Sequence, residues 1–199
     1  MSANKSVSNT FLLMKTQRFL PLMITQFLGA FNDNIYRSAL IMLITYRFAD
    51  EMGVSAGILN NIALAAFIAP YFFFSALAGQ LADKFEKRRQ IVWIKVWEIV
   101  LMLAGAFGFV TQSVPLLILV LSGLGLQSTF FGPIKYAILP DLVKKDELLG
   151  ANALIEATTF IAVLLGTITG SLVALTEHGL EAVIAVTVGV AICGTIAGY

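Results

Sequence analysis

The 199-residue chain has one cysteine, Cys193, and one histidine, His178. A lone cysteine excludes an internal disulfide framework and any multi-cysteine metal centre. The two residues together leave too few soft ligands for a zinc or haem site. Charge is scarce as well: Asp, Glu, Lys and Arg make up 13% of the chain, about half the usual quarter. The 13 basic and 12 acidic residues nearly cancel, for a net charge of +1. That leaves no basic excess to neutralise phosphates, so no nucleic-acid partner is expected. No glycine-rich phosphate loop follows a strand-like run and no nucleophile elbow occurs, so the sequence predicts no cofactor and no enzyme.

What the chain has in excess is apolar. Hydrophobic residues make up 58%, against about 45–50% in soluble domains, and the mean hydropathy is +0.87. A soluble domain of this size could not bury that much apolar surface, so the sequence predicts an all-α membrane protein. Six runs reach or approach the roughly 20 residues needed to cross a bilayer. They cover about residues 19–46, 58–82, 91–110, 115–136, 150–175 and 182–199, after an N-terminal segment 1–18. The first is too long for a signal-peptide core, lacks a small-residue cleavage site and precedes five more runs. Cys193, inside the last run, reads as a small core residue.

The connections are lopsided in charge. Lys5, Lys15 and Arg18 precede the first run without an acid. The second connection, residues 83–90, holds four basic residues, and the fourth holds Lys144 and Lys145. The third connection is uncharged, the first balances Arg47 with Asp50 and Glu51, and the fifth holds Glu177, His178 and Glu181. Lys and Arg concentrate on the cytoplasmic side, which predicts a cytoplasmic N-terminus and C-terminus.

A few polar residues interrupt the apolar runs, where each is costly. In the first run Gln26, Gly29, Asp33 and Arg37 fall on one helical stripe, flanked by Asn32 and Asn34. Asp33 and Arg37 are four apart and can pair. The stripe either glues helices together or lines a transport path. In the third run Lys95 and Glu98 are three apart, with Trp93 and Trp97 as neighbours. Lys95 can snorkel to the cytoplasmic surface, whereas Glu98 needs Lys95 or another helix. The fourth run carries Gln127-Ser128-Thr129, then Pro133, which is expected to kink or end the helix, then Lys135 near the surface. The fifth run carries Asn152 and Glu156, followed by Gly166 and Gly170 at the spacing that lets helices approach closely.

The second connection, Gly79-Gln80-Leu81-Ala82-Asp83-Lys84-Phe85-Glu86-Lys87-Arg88-Arg89, resembles the loop signature of the major facilitator superfamily. That signature is a glycine, three residues, Asp-Arg/Lys, one residue, a glycine and two basic residues. Glu86 stands where the family prefers glycine. The resemblance implies a conformational latch built on Gly79, Asp83, Lys87, Arg88 and Arg89, with Asp83 capping a neighbouring helix N-terminus. The arginine the family often carries in its fourth span is absent; the first basic residue there is Lys135.

A narrower resemblance covers most of the chain. Gln26-Phe27-Leu28-Gly29-Ala30-Phe31-Asn32-Asp33-Asn34 looks like the first span of bacterial lysophospholipid transporters. Gly132 to Pro140 and Gly150 to Ala157 do likewise. The wording is closest to members fused to a phospholipid acyltransferase and an acyl-carrier-protein ligase. Such proteins have twelve spans, so this chain resembles the N-terminal half. The resemblance implies inward flipping of lysophosphatidylethanolamine across the bacterial inner membrane for re-acylation, by alternating access against a C-terminal six-helix half. Asp33 would meet the ammonium, and Arg37, Lys95 or Lys135 the phosphate. Gln26, Asn32, Asn34, Glu98, Gln127 and Glu156 would complete the path. No metal or fused acyltransferase motif is expected here: acyltransferases place an aspartate five residues after a histidine, and position 183 is Val183. Other readings are an ion-coupled carrier of a small solute with Asp33, Glu98 or Glu156 carrying protons, a non-transporting membrane subunit and, last, a membrane enzyme.

Overall fold

A computed structural model describes residues 10–198. Six long helices carry the fold: α1 (Leu20–Leu43), α2 (Ala56–Lys84), α3 (Lys87–Val110), α4 (Val114–Ala137), α5 (Leu148–Ala174) and α6 (Gly179–Ala197). A π-helical turn, Ile44–Phe48, and a one-turn helix, Ala49–Met52, extend α1. A second one-turn helix, Leu139–Leu142, links α4 to α5. No strand occurs among the described residues. Five of the long helices, α2 to α6, are long and apolar enough to cross a membrane. Helix α1 has 24 residues, about 36 Å at 1.5 Å each, but carries the polar stripe that lowers its hydropathy. The chain is therefore an all-α, multi-pass membrane protein. Tyr199, the end of the sixth predicted run, lies outside the described residues, as do residues 1–9 of the N-terminal segment.

Prolines sit in the first turns of α1 and α4, where a missing N–H costs nothing. Left-handed residues close two tight connections, Gly53 (φ 63°) after the one-turn helix and Gln112 (φ 53°) between α3 and α4. Pro133 does not end α4, which continues through it to Ala137. Its ring removes only its own backbone donor, one bond to the carbonyl of Thr129 four residues earlier, and the helix continues past that single loss.

Consecutive helices are not the main packing partners. Instead α1 packs on α5 and α2 on α4, while α3 and α6 back the bundle against α4 and α1. Glycine permits both close pairs. A Cβ at Gly170 or Gly166 of α5 would run into the Ile35 or Phe31 carbonyl oxygen of α1. A Cβ at Gly125 of α4 would run into the Phe67 carbonyl of α2. Small residues let backbones approach where lipid tails give no hydrophobic drive. Helix α2 is the most exposed, with 17% of its apolar stretch buried against 44% for α4. Its outward Phe72, Phe73 and Ile58 suit lipid or further helices.

The interior has three layers. One apolar cluster gathers Tyr36, Met102, Phe109, Leu117, Leu121 and Leu124. The other gathers Phe19, Ile91, Ile94, Ile134, Leu139 and Ile155, toward the end that carries the basic connections. Between them on α1, α3 and α4 lies the polar layer of Asn32, Asp33, Lys95, Glu98 and Gln127, all buried. Cys193 is exposed on α6 rather than in the core. Ala191 and Gly194 hold the inward positions of that turn, and one residue's offset turns Cys193 away.

Candidate functional site

The polar stripe of α1 is the wall of a cavity of about 310 Å³. Gln26, Gly29, Asp33, Asn34 and Arg37 face it from α1. Phe67 and Tyr71 close it from α2, Gln127, Ser128, Phe131 and Lys135 from α4, and Thr159 and Val163 from α5. Lys95 of α3 reaches its rear. The cavity lies between the α1/α5 and α2/α4 pairs, where α4 and α5 hardly touch.

Asp33 lines the cavity from α1. One carboxylate oxygen accepts a hydrogen bond from the Ser128 hydroxyl. The other is buried and has no hydrogen-bond partner. The Asp33–Arg37 pair expected from spacing is not formed. Arg37 instead donates to Asn34 Oδ1 at 2.5 Å and lies 5.5 Å from the centre of the Phe67 ring. Asn34 in turn donates to the Ala30 carbonyl at 2.7 Å, so one side chain braced by its own helix backbone holds the guanidinium against an aromatic face. Gln26 donates to Thr159 Oγ1 at 2.9 Å, tying α1 to α5.

Behind the cavity, Lys95 and Glu98 form an ion pair on α3, both side chains at most 3% exposed. Lys95 does not snorkel. It is wedged between Gly29 of α1 and Gly194 of α6, whose missing side chains make its room: a Cβ would stand 3.4 and 3.1 Å from its Nζ. Asn32 donates to one Glu98 oxygen at 3.2 Å and Gln127 to the other at 3.3 Å. Glu98 thus joins α1, α3 and α4, but it does not line the cavity.

Toward the basic end, Lys135 is not a surface anchor. Its side chain is 12% exposed, lines the cavity, and stands 3.6 Å from Glu156 of α5 and 4.8 Å from the centre of the Tyr136 ring. The Tyr136 hydroxyl also donates to Glu156. Asn152, one turn before Glu156, bonds only its own helix, at the Leu148 carbonyl.

The Major Facilitator Superfamily pattern matches residues 22–199. The chain belongs to the Major Facilitator Superfamily. Among curated relatives it is similar to the lysophospholipid transporter LplT of Salmonella newport, Salmonella heidelberg and Salmonella gallinarum, 33% identical over 155 residues in each case. The match covers 78% of this chain and 36% of each relative, so it spans about a third of their length. No solved structure gives a significant match.

In this superfamily member the loop that resembles the family signature joins α2 to α3. Asp83 ends up exposed in the last turn of α2 and, among the described residues, takes no hydrogen bond and caps no helix. The nearest N-terminus, that of α3, starts at Lys87, beyond an extended Phe85. Glu86 has φ −60°, an ordinary value, so the position where the family prefers glycine needs none here. Of the latch residues, Lys87 reaches Asp141 at 2.9 Å, from α3 to the α4–α5 connection. Arg18 pairs with Glu147 at 2.7 Å across the same end. Glu147 also accepts from the Lys144 backbone N–H at 2.8 Å, and these two donors hold its carboxyl below the usual glutamate range.

Of the residues singled out from the sequence, Gln26, Asp33, Asn34, Arg37, Lys95, Gln127 and Lys135 meet at the cavity. Asn32 and Glu98 stand behind it and Glu156 beside it. Ser128, Phe67, Tyr71 and Thr159 were not singled out as site residues. Ser128 sits next to Gln127 in the same polar run, and Tyr71 follows Pro70 in the apolar middle of α2; these are the available signals. No group of three His, Cys, Asp or Glu side chains that could hold a metal occurs among the described residues.

Proposed function

We propose that this chain forms half of a carrier that moves a lysophospholipid, lysophosphatidylethanolamine in the first instance, across the bacterial inner membrane. The observation that supports this is the charge arrangement of one cavity. An aspartate with an open oxygen faces the same space as Arg37, Lys95 and Lys135. A zwitterionic head carries an ammonium, which suits Asp33, and a phosphate, which suits the cations. Phe67, Tyr71, Phe131 and Val163 give the remaining walls an apolar character fit for the glycerol and first methylenes. The relatives' name points the same way.

In this reading six further helices complete the cavity, and the two bundles rock about it. Residues 19–199 act as one bundle, with the preceding segment in the cytoplasm, because the Lys- and Arg-rich connections share one end. The lipid delivered inward is then re-acylated, by a fused or separate acyltransferase. The test is gene-dependent inward movement of head-group-labelled lysophosphatidylethanolamine in cells that carry the whole reading frame, against a deletion strain. Loss of uptake in the deletion strain, and in Asp33→Asn at normal membrane abundance, is the expected result. Wild-type uptake in Asp33→Asn overturns the role of Asp33.

The unpartnered oxygen of Asp33 also favours one other reading, a proton-coupled carrier of a small solute. It predicts no gene-dependent lysolipid uptake and a steep pH dependence of solute transport that Asp33→Asn removes.

A further inference from the structure

Toward the basic end of the central cavity, Lys135 of α4 lines the wall, while Glu156 of α5, its ion-pair partner at 3.6 Å, does not. The two side chains are exposed to very different degrees, Lys135 by 12% and Glu156 by 44%. The Glu156 oxygen that faces Lys135 also accepts a hydrogen bond from the Tyr136 hydroxyl. Glu156 therefore keeps a donor when Lys135 turns away, and its exposed side leaves room for others. Lys135 has less in reserve, the face of the Tyr136 ring with its centre 4.8 Å from Nζ. A cation at a largely buried wall needs an anion more than a half-exposed, hydrogen-bonded carboxylate needs a cation.

The cavity has room for a second anion at Lys135. Gly132, one turn earlier on α4, lines the cavity too, and nothing stands within 4 Å of where its Cβ would be. An ammonium has three N–H donors, so Lys135 can be approached from the cavity before it gives up Glu156. Its place along the path also matters. Lys135 lies seven residues beyond Ser128, the partner of Asp33, which is about 10 Å along α4 toward the basic end.

We propose that Glu156 is the release residue of the carrier: it competes with the phosphate of the transported lysophospholipid for Lys135. This role presupposes the lysophospholipid carrier proposed above. A head moving inward leaves Asp33 and brings its phosphate to Lys135, which turns from Glu156. Glu156 then takes Lys135 back, and the phosphate leaves toward the cytoplasm. The Lys135 ammonium is paired before, during and after, so neither arrival nor departure strands a buried charge. Without the competitor, binding would displace no existing partner, so the phosphate would be held more tightly and leave more slowly. Glu156 touches no substrate; it acts through Lys135, as a positioning residue.

The test is uptake of head-group-labelled lysophosphatidylethanolamine against its concentration, in cells that carry the whole reading frame, normalised to membrane abundance. Glu156→Gln should lower the half-saturating concentration and the maximal rate together, each about threefold. Glu156→Asp keeps the charge and should restore both in part. Tyr136→Phe takes one donor from the carboxylate, tightens its hold on Lys135 and should raise the half-saturating concentration. Lys135→Gln should raise it as well, and Glu156→Gln added to Lys135→Gln should change nothing further. A Glu156 that only braces α4 against α5 would instead lower the maximal rate at unchanged half-saturation, with or without Lys135. That result overturns the proposal and leaves the carrier standing, as does half-saturation unchanged in both Glu156→Gln and Tyr136→Phe. No gene-dependent uptake in the parent overturns the carrier, and the role of Glu156 with it.

Discussion

Two buried carboxylates lie in the same polar layer, and they are held in opposite ways. Glu98 is fully buried, and both its oxygens are occupied by groups from α1, α3 and α4. Asp33 is nearly as buried but lines the cavity, with one oxygen on Ser128 and the other empty. The saturated carboxylate ties three helices together. An unsaturated one facing a cavity carries an unmet demand that a ligand can meet. On the function proposed above, the difference separates a scaffold from a site, though the two residues are similar in type and depth.

The largest effect should come from the saturated one. Glu98→Ala leaves the Lys95 ammonium buried without its partner between Gly29 and Gly194, which costs about 3–5 kcal/mol. The expected outcome is a large fall in melting temperature in detergent and in membrane abundance. Removing both charges together, Lys95→Met with Glu98→Leu, should recover most of the loss. If the single variant melts like the parent, Glu98 is not the structural member of the comparison.

Next comes the seam that positions Asp33. Gly170→Val drives a Cβ and its methyls into the Ile35 backbone and should cost about 1–3 kcal/mol by thermal melting. Gly132→Ala is the contrast: it borders the cavity with nothing within 4 Å of its Cβ position and should melt like the parent. Asp33→Asn should move stability less than either of the losses above, since the amide keeps its shape and a partner in Ser128. Its effect should fall on uptake of labelled lysolipid, by about tenfold or more if a charge-assisted contact to an ammonium of roughly 1.5–3 kcal/mol is lost. A variant that loses stability but keeps uptake would reverse the assignment of the two carboxylates.

The sequence showed the stripe but not its bonds. Helical spacing alone put Gln26, Gly29, Asp33 and Arg37 on one face, and that face is the cavity wall. Spacing also suggested that Asp33 and Arg37 pair, and there it failed. A four-residue offset makes a pair possible within one helix, but Ser128 on α4 and Phe67 on α2 compete for the same two groups. The same limit explains Lys95. Its distance from the helix end allowed snorkelling, whereas two glycines on other helices opened an inward path that spacing within α3 cannot show. The six-helix plan was readable because hydropathy reports on each helix separately. The partners of each helix were not, since α1 packs on α5 and α2 on α4, across long stretches of chain.

The smallest effect should lie outside the membrane, at a carboxylate whose surroundings are aqueous. Glu147 accepts from the Lys144 backbone N–H and from Arg18, and both favour its charged form. Its folded value is lowered, so its contribution to stability is present at neutral pH and down to the ordinary glutamate range. It is lost as pH falls through the lowered value. Because Glu147 is open to solvent, salt should screen the Arg18 contact and leave the backbone bond. Glu147→Gln should therefore lower the melting temperature slightly at pH 7 and low salt, less at high salt, and not at all below the lowered value. Set beside Glu98→Ala, it measures how much the same ion-pair chemistry is worth once water can replace either partner. Equal losses from the two variants would mean that burial is not what makes Glu98 a scaffold residue.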